Sequence, residues 1–159
     1  MPERFPPEDP REWLNRAQSN LVLASMQEER IYLEDLCFNA QQAAEKAIKA
    51  LLIHRKVEFP YVHDIAELLT VAERSGQEIP PPIRQAERLT RFAVFTRYPG
   101  VAVAIRQEEH REALRVAGEV VQFSLNRTPP SAAHPQEFAI SLKPVRAVAG
   151  RVLLRRSSR

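Results

Sequence analysis

The chain has one cysteine and four glycines in 159 residues, and aromatic residues make up only 7% of it. A single cysteine excludes an internal disulfide, and no Cys/His cluster shows zinc-ligand spacing, so neither a disulfide scaffold nor a metal centre is expected. The scarce glycines leave no Gly-rich loop to cradle phosphates, and no other cofactor motif occurs. No apolar run approaches the roughly 18–20 residues of a membrane span, which predicts no membrane association. The opening Met-Pro-Glu-Arg-Phe-Pro-Pro lacks the apolar stretch of a secretory signal. A lone thiol and no signal fit a reducing cytoplasm.

What is present is apolar content of 44%, enough for a core in a chain whose length suggests one domain. The net charge of +3 is unevenly spread. Residues 127–159 hold seven basic residues and one acid, leaving residues 1–126 at −3. The basic excess therefore lies in a Pro- and Arg-containing segment whose composition predicts a mostly disordered tail. Charge alone makes no case for duplex DNA binding by the body. The expected organisation is an N-terminal extension over 1–8, a helical bundle over 9–126 and a basic tail over 127–159.

The bundle is organised around residues 36–56, which no Gly or Pro interrupts and which strong helix formers dominate. Leu36, Ala40, Ala43, Ala44, Ala47, Ala50 and Leu51 recur at the spacing of one buried helix face. A stripe made mostly of Ala lets neighbouring helices approach closely, so this helix is expected at the centre. A first helix is predicted from Asp9-Pro10, a cap followed by a first-turn proline, with Trp13, Ala17, Leu21 and Ala24 inward. A third starts at Asp64, with Glu67 placed for a capping box and Ile65, Leu68, Leu69 and Ala72 inward, and stops at Ser75-Gly76. A fourth follows Pro80-Pro81-Pro82, with Ala86, Leu89, Ala93 and Val94 on one side, and ends near Tyr98-Pro99-Gly100. Residues 101–105 are read as loop. The last helix spans about 107–125 with a stripe of His110, Ala113, Leu114, Ala117, Val120 and Val121. The fold expected is all-α, a four- to five-helix up-and-down antiparallel bundle.

Four features bear polar chemistry, each with a plainer alternative. Gln42, Glu45, Lys46 and Lys49 form the polar side of the central helix. They are either a solvated face with a favourable Glu45–Lys49 pair or, because Phe38 projects the same way, part of a covered groove or a dimer surface. His63 stands beside Asp64, which could orient the imidazole as a general base or simply cap the third helix. Arg97 and Tyr98, at the exit of the fourth helix, suit either a helix dipole or a phosphate and a stacked base. Arg106 and His110, four apart on the last helix, could pair anion binding with proton transfer, or could be an exposed first-turn residue and a packed one. Cys37 has no fixed basic neighbour and is expected to be a buried, inert thiol.

Taken in order, these pieces resemble the HEPN domain family. Residues 13–24 are similar to its opening helix. Cys37-Phe38-x-Ala-Gln-Gln-Ala-Ala-Glu-Lys-Ala-Ile-Lys-Ala-Leu-Leu is similar to its most recognisable helix. Phe59-Pro-x-x-His63-Asp64-Ile-x-x-Leu68-Leu69 is similar to the loop and helix that follow, and Thr96-Arg97-Tyr98-Pro99 to the helix exit. The resemblance covers roughly residues 13–123. It implies a bundle that dimerises through its helices. It also implies one of several roles: a ribonuclease or toxin using Arg-x(4–6)-His, a nucleotide binder, or a partner of a minimal nucleotidyltransferase in a toxin–antitoxin-like pair.

The nearest Arg/His pair, Arg106 and His110, has three intervening residues and not four to six, so the chain resembles the branch of the family with the Arg-Tyr-Pro helix exit and no clear Arg-x(4–6)-His motif. The leading expectation is a cytoplasmic, homodimeric nucleotide- or RNA-binding module. Gln42, Lys46 and Lys49 would give polar contacts, Arg97 a phosphate contact and Tyr98 a stacking surface. The rivals are a metal-independent endoribonuclease toxin using Arg106 or Arg97 with His110 or His63, and a non-catalytic dimeric adaptor.

Overall fold

The computed structural model describes residues 1–95 and 104–129. Arg97, Tyr98 and the expected helix exit lie outside the described residues, as does the tail from 130 onward. The described residues form helices and no strand: α1 (Pro10–Ala24), α2 (Leu33–His54), α3 (Ile65–Arg74), α4 (Pro81–Arg84), a 3₁₀ segment (Gln85–Arg91), α5 (Phe92–Phe95) and α6 (Gln107–Arg127). The expected helical bundle is what forms. None of these helices is long and apolar enough to cross a membrane.

Local chemistry sets the boundaries. Asp9 caps α1 by accepting from the Arg11 N–H at 2.9 Å, and Pro10 occupies the first turn, where a missing N–H is harmless. Asp64 caps α3 by accepting from Ala66 N at 2.9 Å and Glu67 N at 3.4 Å. The Ile65 N–H donates to Thr90 Oγ1 at 3.1 Å, which ties the start of α3 to the 3₁₀ segment. Gly76 ends α3 at φ 87, the left-handed conformation that closes a Schellman turn, with Gln77 N bonded to Ala72 O at 3.0 Å. α2 ends in the same motif without a glycine. Lys56 sits at φ 56, its N–H reaches Ile53 O at 2.9 Å, and Val57 N reaches Leu52 O at 2.9 Å.

α2 is the central element, packed chiefly against α1 on one side and α6 on another, with α3, the 3₁₀ segment and α5 completing its surroundings. Every member of its expected apolar stripe is buried. Burial goes further than that stripe, taking in Cys37, Ile48 and Leu52, so little of this helix faces water.

The fourth helix departs from expectation. It is a composite in which seven residues are wound as 3₁₀. Ile83, Ala86, Leu89 and Phe92 are buried and lie three residues apart. A 3₁₀ helix has three residues per turn and stacks them on one face, whereas an α-helix would rotate that row progressively out of the core. The expected inward position of Val94 is therefore wrong. Val94 is 59% exposed, and Phe92 occupies the core instead.

Candidate functional site

Gln41, Glu45 and Lys49 are spaced four apart on α2, so they form one column along the helix. All three are buried. Glu45 is the hub. Lys49 Nζ donates to its Oε1 at 2.7 Å and Gln41 Nε2 to its Oε2 at 2.8 Å. Gln42 Nε2 donates to Gln41 Oε1 at 2.8 Å and lies 3.3 Å from Glu45 Oε2. The Lys49 ammonium also sits 5.9 Å from the centre of the Trp13 ring on α1. Burial pushes the Glu45 carboxyl up. The hydrogen bonds from Lys49, Gln41 and His63, with the charge of Lys49, outweigh that and hold it below its ordinary value.

His63 joins this column from the loop between α2 and α3. Its Nδ1 lies 3.2 Å from both carboxylate oxygens of Glu45, and its backbone carbonyl accepts from Gln41 Nε2 at 3.4 Å. The ring is 59% exposed. A neutral imidazole with its proton on Nδ1 donates to Glu45 and leaves Nε2 as a free acceptor. The carboxylate facing His63 is thus Glu45, eighteen residues away in sequence, while Asp64 is engaged as the α3 cap.

Lys46 lies beside the column and faces α1. Its Nζ donates to Asn20 Oδ1 at 2.6 Å, and Asn20 Nδ2 donates to Asn39 Oδ1 at 2.8 Å. Lys46 lines a cleft of about 270 Å³ together with Arg4, Glu12, Arg16, Ser19 and Asn20. Burial lowers the Lys46 ammonium below its ordinary value. Glu45 opposes the shift, and Arg16 and Lys49 add to it.

The remaining candidates stand apart. His110 is 8% exposed, and its Nε2 lies 2.7 Å from the Ala24 carbonyl. A carbonyl only accepts, so this nitrogen carries the proton and satisfies the C-terminal end of α1. Arg106 is exposed at the start of α6, where its side chain lies 3.6 Å from Glu109. Arg106 and His110 therefore engage different partners and do not meet. One Arg-x(6)-His spacing exists further on, between Arg127 and His134, but His134 is outside the described residues. Cys37 is fully buried, which pushes its thiol up to about 12; nearby Arg91 opposes this, and Glu109 and Glu34 add to it. A larger cleft of about 520 Å³ separates the 3₁₀ segment from α6. Its Arg91 and Glu109 pair with each other at 3.0 Å, its Glu108 and Glu112 pair with Arg111 and Arg115 outside the lining, and none of the expected ligand-contact or catalytic residues lines it.

Of the five residues expected to contact a ligand, α2 supplies three with different fates. Lys49 is locked in a buried ion pair, Gln42 is bonded to Gln41, and Lys46 faces a cleft. Asn20 and Gln41 were not legible as site residues. Asn20 reads as an ordinary α1 surface residue. Gln41 could have been found from its place four before Glu45 and eight before Lys49.

The HEPN domain family model matches residues 10–128. Two solved structures resemble this one. The crystal structure of ST0689, an archaeal HEPN homologue, has 26% identity and a TM-score of 0.62, covering 76% of this chain and 98% of its own. The crystal structure of TT1696 from Thermus thermophilus has 30% identity and a TM-score of 0.65, covering 74% of this chain and 97% of its own. No protein with a curated description matches the chain. The match across residues 10–128, with an all-helical fold shared with these two structures, places this chain in the HEPN domain family.

Proposed function

We propose that this chain is a nucleotide- or RNA-binding HEPN module that works in the cytoplasm as a homodimer beside a minimal nucleotidyltransferase partner, in a toxin–antitoxin-like pair. One observation carries the binding reading. Lys46 is a partly buried ammonium in a cleft whose hydrogen-bond partner is the neutral amide oxygen of Asn20. A cation removed from water without a carboxylate is stabilised by an incoming anion, and phosphate is the anion that nucleotides and RNA present. The burial of His110 against Ala24 also favours binding over cleavage by the Arg106–His110 pair.

The test is binding of a fluorescent RNA oligonucleotide and of ATP to the full chain and to Lys46→Ala, with melting curves to confirm folding. The reading expects the substitution to weaken one of the two ligands by about tenfold, the effect of losing a charge-assisted contact. Unchanged affinity for both, or no binding by the parent chain, rejects it.

A second reading, the metal-independent endoribonuclease, keeps one supporting observation: the exposed His63 imidazole oriented by buried Glu45, a geometry suited to proton transfer. RNA degradation in the presence of EDTA that His63→Ala abolishes would favour it over the binding module.

A further inference from the structure

We propose that the cleft between the N-terminal segment, α1 and Lys46 is a binding site for a small phosphate-bearing molecule, held by Lys46, Arg16 and Arg4 within a single chain. This rests on Lys46 being a ligand contact, and it narrows the ligand from a nucleic-acid strand to a compact anion.

The cleft carries an excess of positive charge. Three cations, Arg4, Arg16 and Lys46, line it with two carboxylates, Glu3 and Glu12. Glu12 already serves both guanidiniums, accepting from Arg16 Nε at 2.8 Å and lying 3.6 Å from Arg4. Glu45, the acid nearest to Lys46 along α2, is taken by Lys49 at 2.7 Å. The cleft is left one positive charge in excess, and that charge is partly desolvated at Lys46. Guanidinium and ammonium donors lining one cleft suit the oxygens of a phosphate group.

The wall of the cleft is already built. The N-terminal segment is pinned across α1. Phe5 N donates to Glu12 Oε2 at 3.0 Å, Asn15 Nδ2 to the Glu3 carbonyl at 2.9 Å, and Trp13 Nε1 to the Pro7 carbonyl at 2.8 Å. The Arg11 guanidinium lies 4.0 Å above the Phe5 ring. Arg4 is thereby held at the rim, so less ordering cost remains to be met on binding. Ser19 and Asn20 add neutral hydrogen-bonding groups to the lining.

Size decides the class of ligand. About 270 Å³ is at or below the lower end of the roughly 300–1,000 Å³ range of small-molecule sites. That volume matches a phosphate group with a small body attached.

Titration calorimetry of the full chain with inorganic phosphate, and separately with acetate, tests this. Saturable one-to-one phosphate binding is expected, weakened about tenfold or more by Lys46→Gln and several-fold by Arg4→Ala, as loss of charge-assisted contacts requires. Lys56→Gln, an exposed lysine outside the cleft, is the control and should leave it unchanged. Arg4 is exposed on the surface, so Arg4→Ala keeps the test valid if Lys46→Gln fails to fold. The proposal is overturned if phosphate does not saturate, if both cleft variants match the Lys56→Gln control, or if acetate binds as tightly as phosphate. RNA binding lost in Lys46→Gln while phosphate binding ignores both variants would sink the small-anion site and leave the nucleic-acid reading standing. Phosphate binding lost in both variants with RNA binding intact would do the reverse.

Discussion

His63 Nδ1 lies 3.2 Å from each carboxylate oxygen of Glu45, so a loop residue is fastened to the middle of the central helix. Glu45 holds Lys49 at the same time, and the three side chains link α1, α2 and the loop before α3 through one buried carboxylate.

Removing that carboxylate strands a buried cation. Glu45→Ala leaves Lys49 desolvated and unpaired, and the expected loss is about 3–5 kcal/mol of unfolding free energy. Replacing the pair together, as Glu45→Leu with Lys49→Met, should recover most of it, because an apolar pair of similar volume incurs no desolvation penalty. Urea denaturation of the single and double variants measures both. A double variant no more stable than Glu45→Ala would show that the column is needed for more than charge balance.

The acid limb of stability should carry the signature of Glu45. Its folded-state pKa is depressed, so its contribution is present above the unfolded value of about 4.3 and is lost as pH falls through the lower folded value. Stability measured from pH 6 downward should fall in that window, and Glu45→Gln should flatten the fall. Parallel slopes for the two proteins would contradict the assignment.

Lys56 occupies a left-handed conformation that costs a non-glycine residue roughly 1–2 kcal/mol. Lys56→Gly relieves it at the expense of added freedom in the unfolded chain, so a net gain of about 0.5–1 kcal/mol is expected. A lower melting temperature in the variant would mean that the Lys56 side chain makes a compensating contact.

His110 is assigned a structural role. His110→Ala removes the bond to the Ala24 carbonyl and opens space between α1 and α6, so a loss of about 2–4 kcal/mol is expected. Nucleotide or RNA affinity measured below the melting transition should not change. A folded variant that loses binding would return His110 to the site.

Much of the fold was legible because it is written in local patterns. The Ala stripe of α2, the Asp9-Pro10 and Asp64 starts and the Ser75-Gly76 stop each depend on residues within one turn of one another. The 3₁₀ segment was missed because Ile83, Ala86, Leu89 and Phe92 repeat every three residues, and a 3.6-residue period applied there turns Val94 inward instead. The candidate site was less legible because its bonds join residues far apart in sequence. His63 reaches Glu45 across eighteen positions and Lys46 reaches Asn20 across twenty-six, and for His63 a plausible local partner, Asp64, masked the real one. Asp64 sits next to His63 but is spent on the α3 cap, and Glu45 sits next to Lys46 but is spent on Lys49.

The central claim is that Lys46 marks an anion-binding face on a HEPN bundle. The most direct measurement is the affinity of the full chain for RNA and for ATP at two salt concentrations, with and without Lys46→Ala. The account predicts weaker binding in the variant and a shallower salt dependence, because one phosphate contact has been removed. Equal affinities and equal salt slopes in the two proteins would contradict it.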